Sequence, residues 1–222
     1  MTALSGLAWT IVYIESIRIG FKHKTYAIPM AALALNVSWE WLYAVHDLTG
    51  GGSLQGYINL AWAVADLLIV YTYLRFGRSE LPAFVTRSMF GAWCVGVFAA
   101  AGIVEWMFIA QFDWHDAARY SAFLQNLLMS GLFVAMLVAR ASSRGQSMII
   151  AVGKWVGTLA PTFVFGVYEQ SSFILTLGVL CSVFDLAYIG LLGWVRTHPN
   201  ALQAASISPG MTGAEPPVVH PD

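Results

Sequence analysis

Apolar positions along the chain gather into seven long runs separated by short polar gaps. The runs cover roughly residues 3–19, 26–45, 57–74, 85–110, 117–139, 148–167 and 173–195. A bilayer core about 30 Å thick takes about 20 apolar residues per helix. Each run therefore predicts a membrane-spanning helix. The gaps hold turn and charge signals: Phe21-Lys22-His23-Lys24, Thr49-Gly50-Gly51-Gly52-Ser53, Gly77-Arg78-Ser79-Glu80-Leu81-Pro82 and Ser142-Ser143-Arg144-Gly145. The expected fold class is all-α, a seven-transmembrane-helix bundle.

Basic residues set its orientation. Arg18, Lys22 and Lys24 follow run 1; Arg75, Arg78 and Arg87 lie between runs 3 and 4; Arg140, Arg144 and Lys154 lie between runs 5 and 6; Arg196 follows run 7. Only Arg119 falls on the other side. This alternation predicts an N-terminus outside and a C-terminus in the cytoplasm. Residues 1–10 lack a basic n-region and run straight into the first helix, which is expected to be retained. Residues 1–196 thus read as one membrane domain. Residues 197–222 hold five of the eight prolines and no long apolar run, and are expected to form a disordered cytoplasmic tail.

Composition sharpens this. The 222 residues are 58% apolar and 10% charged, with mean hydropathy +0.67. A soluble domain carries roughly 25% charged residues, so an ordinary soluble fold is excluded. With 11 Lys and Arg against 12 Asp and Glu there is no basic surface for nucleic acid. Cys94 and Cys181 sit in apolar runs without C-x-x-C spacing and read as small buried residues.

The acids inside the runs are the informative minority. Glu15, Glu40, Asp66, Glu105 and Asp185 are intramembrane by this reading. None has a basic partner in its own run at i, i+4, although Arg18 stands at i+3 from Glu15. An Asp at a helix centre costs about 2.5–3.5 kcal/mol on insertion scales, and burial favours the neutral form. A buried carboxyl is therefore either a proton donor or a hydrogen-bonding group between helices. The orientation places Glu40 and Glu105 in the outer half and Asp66 and Asp185 near mid-membrane. One outward-opening cavity that collects all four is the expectation.

Asn36 and Tyr43 share a helix face with Glu40, Trp62 stands at i−4 from Asp66, Tyr188 at i+3 from Asp185, and Trp39 and Trp106 adjoin the acids. An acid beside an amide and aromatic faces suits protonation of an alkene or epoxide, with π-faces stabilising the cation. Interfacial anchoring is the other reading of the tryptophans.

The string Asn36-Val37-Ser38-Trp39-Glu40, with seven runs and a late Asp185, resembles a signature of the small integral-membrane terpene cyclases of the pyripyropene-cyclase type. That family acts in fungal meroterpenoid and indole-diterpene pathways, with bacterial relatives on prenylated indoles. A bacterial-type member, in the bacterial cytoplasmic membrane or in the ER of a eukaryote, is expected here. The resemblance implies that Glu40 and Asp185 are catalytic and start cyclisation by protonation, without metal or cofactor. Asn36, Trp39, Tyr43, Trp62, Asp66, Glu105, Trp106 and Tyr188 are the expected substrate-binding residues, and a prenylated small molecule is the expected partner. The Pro-rich tail is not part of the family pattern.

The chain has no D-D-x-x-D, no D-x-D-D, no phosphate-binding or dinucleotide glycine motif and no histidine cluster of metal-ligand spacing. A retinal protein needs a lysine in the last span, and the only lysines are Lys22, Lys24 and Lys154. A proton-coupled transporter is the alternative. It is favoured by the echo of Val64-Ala65-Asp66-Leu67 in Val183-Phe184-Asp185-Leu186, which hints at a 3 + 1 + 3 repeat, and by Pro29 and Pro161 as paired helix breaks. A scaffold without chemistry is a third class, disfavoured by the short outer loops.

Overall fold

The computed structural model describes residues 2–198. Seven α-helices account for nearly all of them: α1 (Thr2–His23), α2 (Met30–Thr49), α3 (Leu54–Phe76), α4 (Arg87–Gln111), α5 (Trp114–Arg140), α6 (Met148–Pro161) and α7 (Ser172–Thr197). Their starts follow from capping chemistry. Ser53, Thr86, Asp113, Ser147 and Ser171 each accept a hydrogen bond from a backbone N–H in the first turn of α3 to α7. Pro29 precedes α2, where its missing N–H costs nothing. After Pro161 the chain continues as a π-helical segment, Thr162–Tyr168, because proline removes one bond of the α ladder. Pro29 thus starts a helix while Pro161 lies inside one, so the two are not matching breaks.

The helices alternate in direction. The C-terminal ends of α1, α3, α5 and α7 meet at one end of the bundle. There Arg140 pairs with Glu80, Arg144 donates to the carbonyls of His23 and Lys24, and Arg196 donates to the carbonyl of Gln146. At the other end Trp114 stacks on His46 and Arg119 pairs with Glu169. Nine of the eleven Lys and Arg residues lie toward the first end. Lys154 is an exception to the sequence reading. It is the seventh residue of α6 and 1% exposed, not a loop charge.

Five helical segments, from α3 onward, are long and apolar enough to cross a membrane. The first two fall short for a physical reason. Glu15, Arg18 and Lys22 lower the hydropathy of α1, and Asn36, Ser38, Glu40 and Asp47 lower that of α2.

Six helices close a ring. α1 packs on α6, α6 on α7, α7 on α5, α5 on α2, α2 on α3, and α3 back on α1. The central core runs through Tyr13, Leu33, Ile69, Met129, Phe133, Ile150, Tyr188 and Leu192. α4 stands outside the ring against α2 and α5. The contacts obey an approximate two-fold rule. In α1–α3 and again in α5–α7, the first and second helices both pack on the third, and the cross-contacts α1·α6 and α5·α2 exchange under the same swap. This agrees with the 3 + 1 + 3 arrangement that the Val-x-Asp-Leu echo suggested. Cys94 and Cys181 are free and buried, as expected.

Candidate functional site

Two polar clusters are built into the interior, one in each three-helix unit. In the first, α2 presents Asn36 and Glu40 one turn apart on one buried face. α1 contributes Tyr13 and α3 contributes Asp66. The Tyr13 hydroxyl donates to Glu40 Oε1. Asn36 Nδ2 lies 2.5 Å from Tyr13 Oη, 3.1 Å from Glu40 Oε1 and 2.9 Å from Asp66 Oδ2. Glu40 is 2% and Asp66 0% exposed. Glu40 Oε2 and Asp66 Oδ1 have no hydrogen-bond partner, while Glu40 Oε1 and Asp66 Oδ2 share the Asn36 amide nitrogen. Trp62 stacks on Tyr13 at 5.9 Å between ring centres and donates to the Thr10 hydroxyl at 3.2 Å.

The second cluster joins α5, α6 and α7. Lys154 Nζ donates to Ser130 Oγ at 2.6 Å and to both carboxylate oxygens of Asp185, at 2.9 and 3.0 Å. All three residues are buried. Asp185 has a cation partner after all, from the neighbouring helix rather than from its own.

The clusters correspond. Asn36 is the seventh residue of α2 and Lys154 the seventh of α6, and each donates to the aspartate of its third helix. A hydroxyl from the first helix, Tyr13 or Ser130, completes each set. The difference is chemical. One half holds its aspartate with a neutral amide and adds Glu40; the other holds it with an ammonium.

The remaining expected residues divide. Trp39 donates to the carbonyl of Ala118 at 3.0 Å and, with Tyr43 and Trp114, forms an aromatic cluster toward the end opposite the arginines. Glu105 is buried with Oε2 unpartnered, and the hydroxyls of Ser121 and Tyr43 are likewise buried without a partner. Tyr188 donates to Gln146 Oε1 at 2.9 Å and packs on Phe133, near the end of the bundle where Arg196 meets Gln146. Trp106 is 61% exposed and faces outward. It lines a groove of about 540 Å³ between α2 and α4, with Val37, Ser38, Trp41, Gly102 and Ile103. Neither this groove nor the cavity of about 610 Å³ near Arg140 is lined by the four acids. Glu40 and Asp66 share one cluster, Asp185 belongs to the other, and Glu105 on α4 belongs to neither.

Sequence reasoning did not find Tyr13, Ser130 or Lys154. Lys154 had a signal, a lysine well inside an apolar run. Tyr13 and Ser130 had none, since neither residue type is unusual in such a helix.

The family model of the Pyr4-like transmembrane terpene cyclases matches residues 1–198. The chain belongs to that family. It is 29% identical over 163 residues to a Pyr4-family terpene cyclase of Annulohypoxylon moriforme, covering 72% of this chain and 66% of the relative. It is 26% identical over 209 residues to a terpene cyclase of Aspergillus fumigatus, covering 89% and 86%. It is 29% identical over 159 residues to a terpene cyclase of Emericella variicolor, covering 70% and 66%. The first and third of these matches thus span just under two thirds of the relative's length. These relatives are fungal, and they lend no support to the bacterial-type membership expected from sequence. No solved structure matches the chain. Family and apolar helices together make this an integral membrane protein.

Proposed function

We propose that the protein cyclises a prenylated aromatic or heterocyclic substrate, an indole or another meroterpenoid head group, by protonating a terminal alkene or epoxide. Seven helices span the bilayer with the N-terminus outside and the C-terminus in the cytoplasm. Glu40 is the proton donor. The reading rests on one observation: Glu40 is buried among Tyr13, Asn36 and Asp66, with no cation bonded to it among the described residues, whereas Asp185 is gripped by Lys154. A carboxyl without a cation beside it in low dielectric keeps its proton, and one paired with an ammonium gives it up. Asp185 is then the standing carboxylate that favours a developing carbocation. The proton lost at initiation returns at termination, so the reaction is an isomerisation that needs neither metal nor redox cofactor.

Trp62 and Tyr13 offer π-faces next to the donor, suited to shielding a cation from water. The test is a product assay on purified protein in lipid nanodiscs, with prenylated indoles bearing a terminal alkene or a terminal epoxide. A cyclised isomer is expected by mass spectrometry and NMR, with no gradient applied. Glu40→Gln is expected to lose about 100- to 10,000-fold in turnover, the usual contribution of a general acid. Wild-type turnover in a folded Glu40→Gln variant overturns the assignment.

A further inference from the structure

The hydrogen count in the first cluster is short. Asn36 Nδ2 carries two hydrogens but faces three acceptors, Tyr13 Oη, Glu40 Oε1 and Asp66 Oδ2. Tyr13 supplies one more hydrogen, to Glu40. That leaves Glu40 Oε2 and Asp66 Oδ1 buried with nothing to bond, and an unpaired buried carboxylate oxygen is costly. Two ionised carboxylates bonded to one amide nitrogen, with no cation beside them among the described residues, repel strongly in low dielectric. One additional proton held between them removes both defects. The matching cluster shows the contrast: where Asn36 is replaced by its counterpart Lys154, the ammonium supplies the missing hydrogens and charge, and no second carboxyl is present.

We infer that Glu40 and Asp66 hold one transferable proton between them, and that Asp66 is the residue that positions this proton for Glu40. This rests on the proposed reading of Glu40 as donor. In the cyclisation step the proton leaves the pair for the substrate: the π electrons of a terminal alkene form a new C–H bond, or a lone pair of an epoxide oxygen forms a new O–H bond as the C–O bond opens to the attacking alkene. The pair passes from one negative charge to two, and the Tyr13 O–H and Asn36 N–H groups solvate the added charge. Deprotonation of the cyclised cation refills the pair. A positioning role of this kind makes the two halves of the ring unequal by design: one exchanges a proton and the other stays charged.

Infrared difference spectroscopy on the full-length protein in nanodiscs tests this without any substrate. A carboxylic-acid C=O band that shifts in D2O is expected. Glu40→Gln and Asp66→Asn should each abolish or displace that same band. The double variant Lys154→Met/Asp185→Asn should leave it in place. Unmutated protein labelled with 13C-aspartate, and separately with 13C-glutamate, is the control against misfolding, and the band should move with both labels. A band indifferent to Asp66→Asn, or one that moves with a single label, overturns the inference. Because no turnover is required, failure here is distinguishable from failure of the cyclase reading, which shows as absence of cyclised product. In the turnover arm Asp66→Asn is expected to lower kcat by a smaller factor than Glu40→Gln, with KM little changed.

Discussion

Lys154 Nζ stands 2.9 and 3.0 Å from the two carboxylate oxygens of Asp185, and each residue is 1% exposed. Removing one partner of a buried pair costs about 3–5 kcal/mol because the other charge is stranded. Asp185→Asn alone is therefore expected to unfold at markedly lower temperature in detergent. Lys154→Met/Asp185→Asn should recover most of the loss, since a neutral pair of similar volume fits the same space. If the refolded double variant makes no product, the carboxylate is needed for the reaction itself. If it turns over normally, Asp185 serves only to hold Lys154 in place.

Tyr13→Phe deletes the hydroxyl that donates to Glu40 and accepts from Asn36. A hydrogen bond contributes about 0.5–1.5 kcal/mol to a neutral partner and about 1.5–3 kcal/mol to a charged one. The variant is expected to lose stability on that scale and to cyclise more slowly, while the ring stacked on Trp62 stays in place. Chemical denaturation and product yield measured side by side check both parts.

Tryptophans 62 and 106 are expected to differ. Trp106 is largely exposed and faces outward from α4. Trp106→Ala should change thermal stability by no more than about 0.5 kcal/mol, as for other surface positions. Trp62→Ala removes the ring that braces Tyr13 and should cost about 0.5–3 kcal/mol, with a parallel fall in product yield. Equal effects of the two would contradict the geometry.

Arg140 holds the arginine-rich end together. It pairs with Glu80 at 2.7 Å, donates to the carbonyl of Tyr26 at 3.1 Å, and lies over the Tyr26 ring at 4.2 Å. Both charged side chains are mostly buried, and Arg144 reaches Glu80 only at 3.8 Å. Arg140→Ala should destabilise by about 3–5 kcal/mol. Arg140→Lys should recover only part, since an ammonium lacks the planar fork that serves several acceptors at once. Thermal unfolding of the two variants decides this.

Much of the fold was legible in the residues. Apolar runs located all seven helices, and the sidedness of arginine located the ends that meet. The terminal residues shifted by a few positions because serine, threonine and aspartate caps, not hydropathy, decide where helices begin. The acids were legible too, since a carboxyl inside an apolar run has few bland explanations. Their partners were not, because helix rotation and neighbour choice depend on packing across the whole ring. Lys154 shows the limit. Counting it as a loop charge fitted the alternation, so the rule that oriented the bundle also hid the partner of Asp185. Tyr13 became significant only when α1 and α2 faced each other.

The placement of α4 has a consequence for how the chain is put together. A unit of three alternating helices begins at one end of the bundle and ends at the other. Two such units that point the same way cannot be joined directly. An extra helix must return the chain to its starting end, and α4 supplies it. This accounts for a helix that belongs to neither unit and buries only Phe90, Cys94, Ala101 and Glu105. Its duty is one of parity, so most of its surface is freer to vary than that of the six helices that hold Glu40, Asp66 and Asp185.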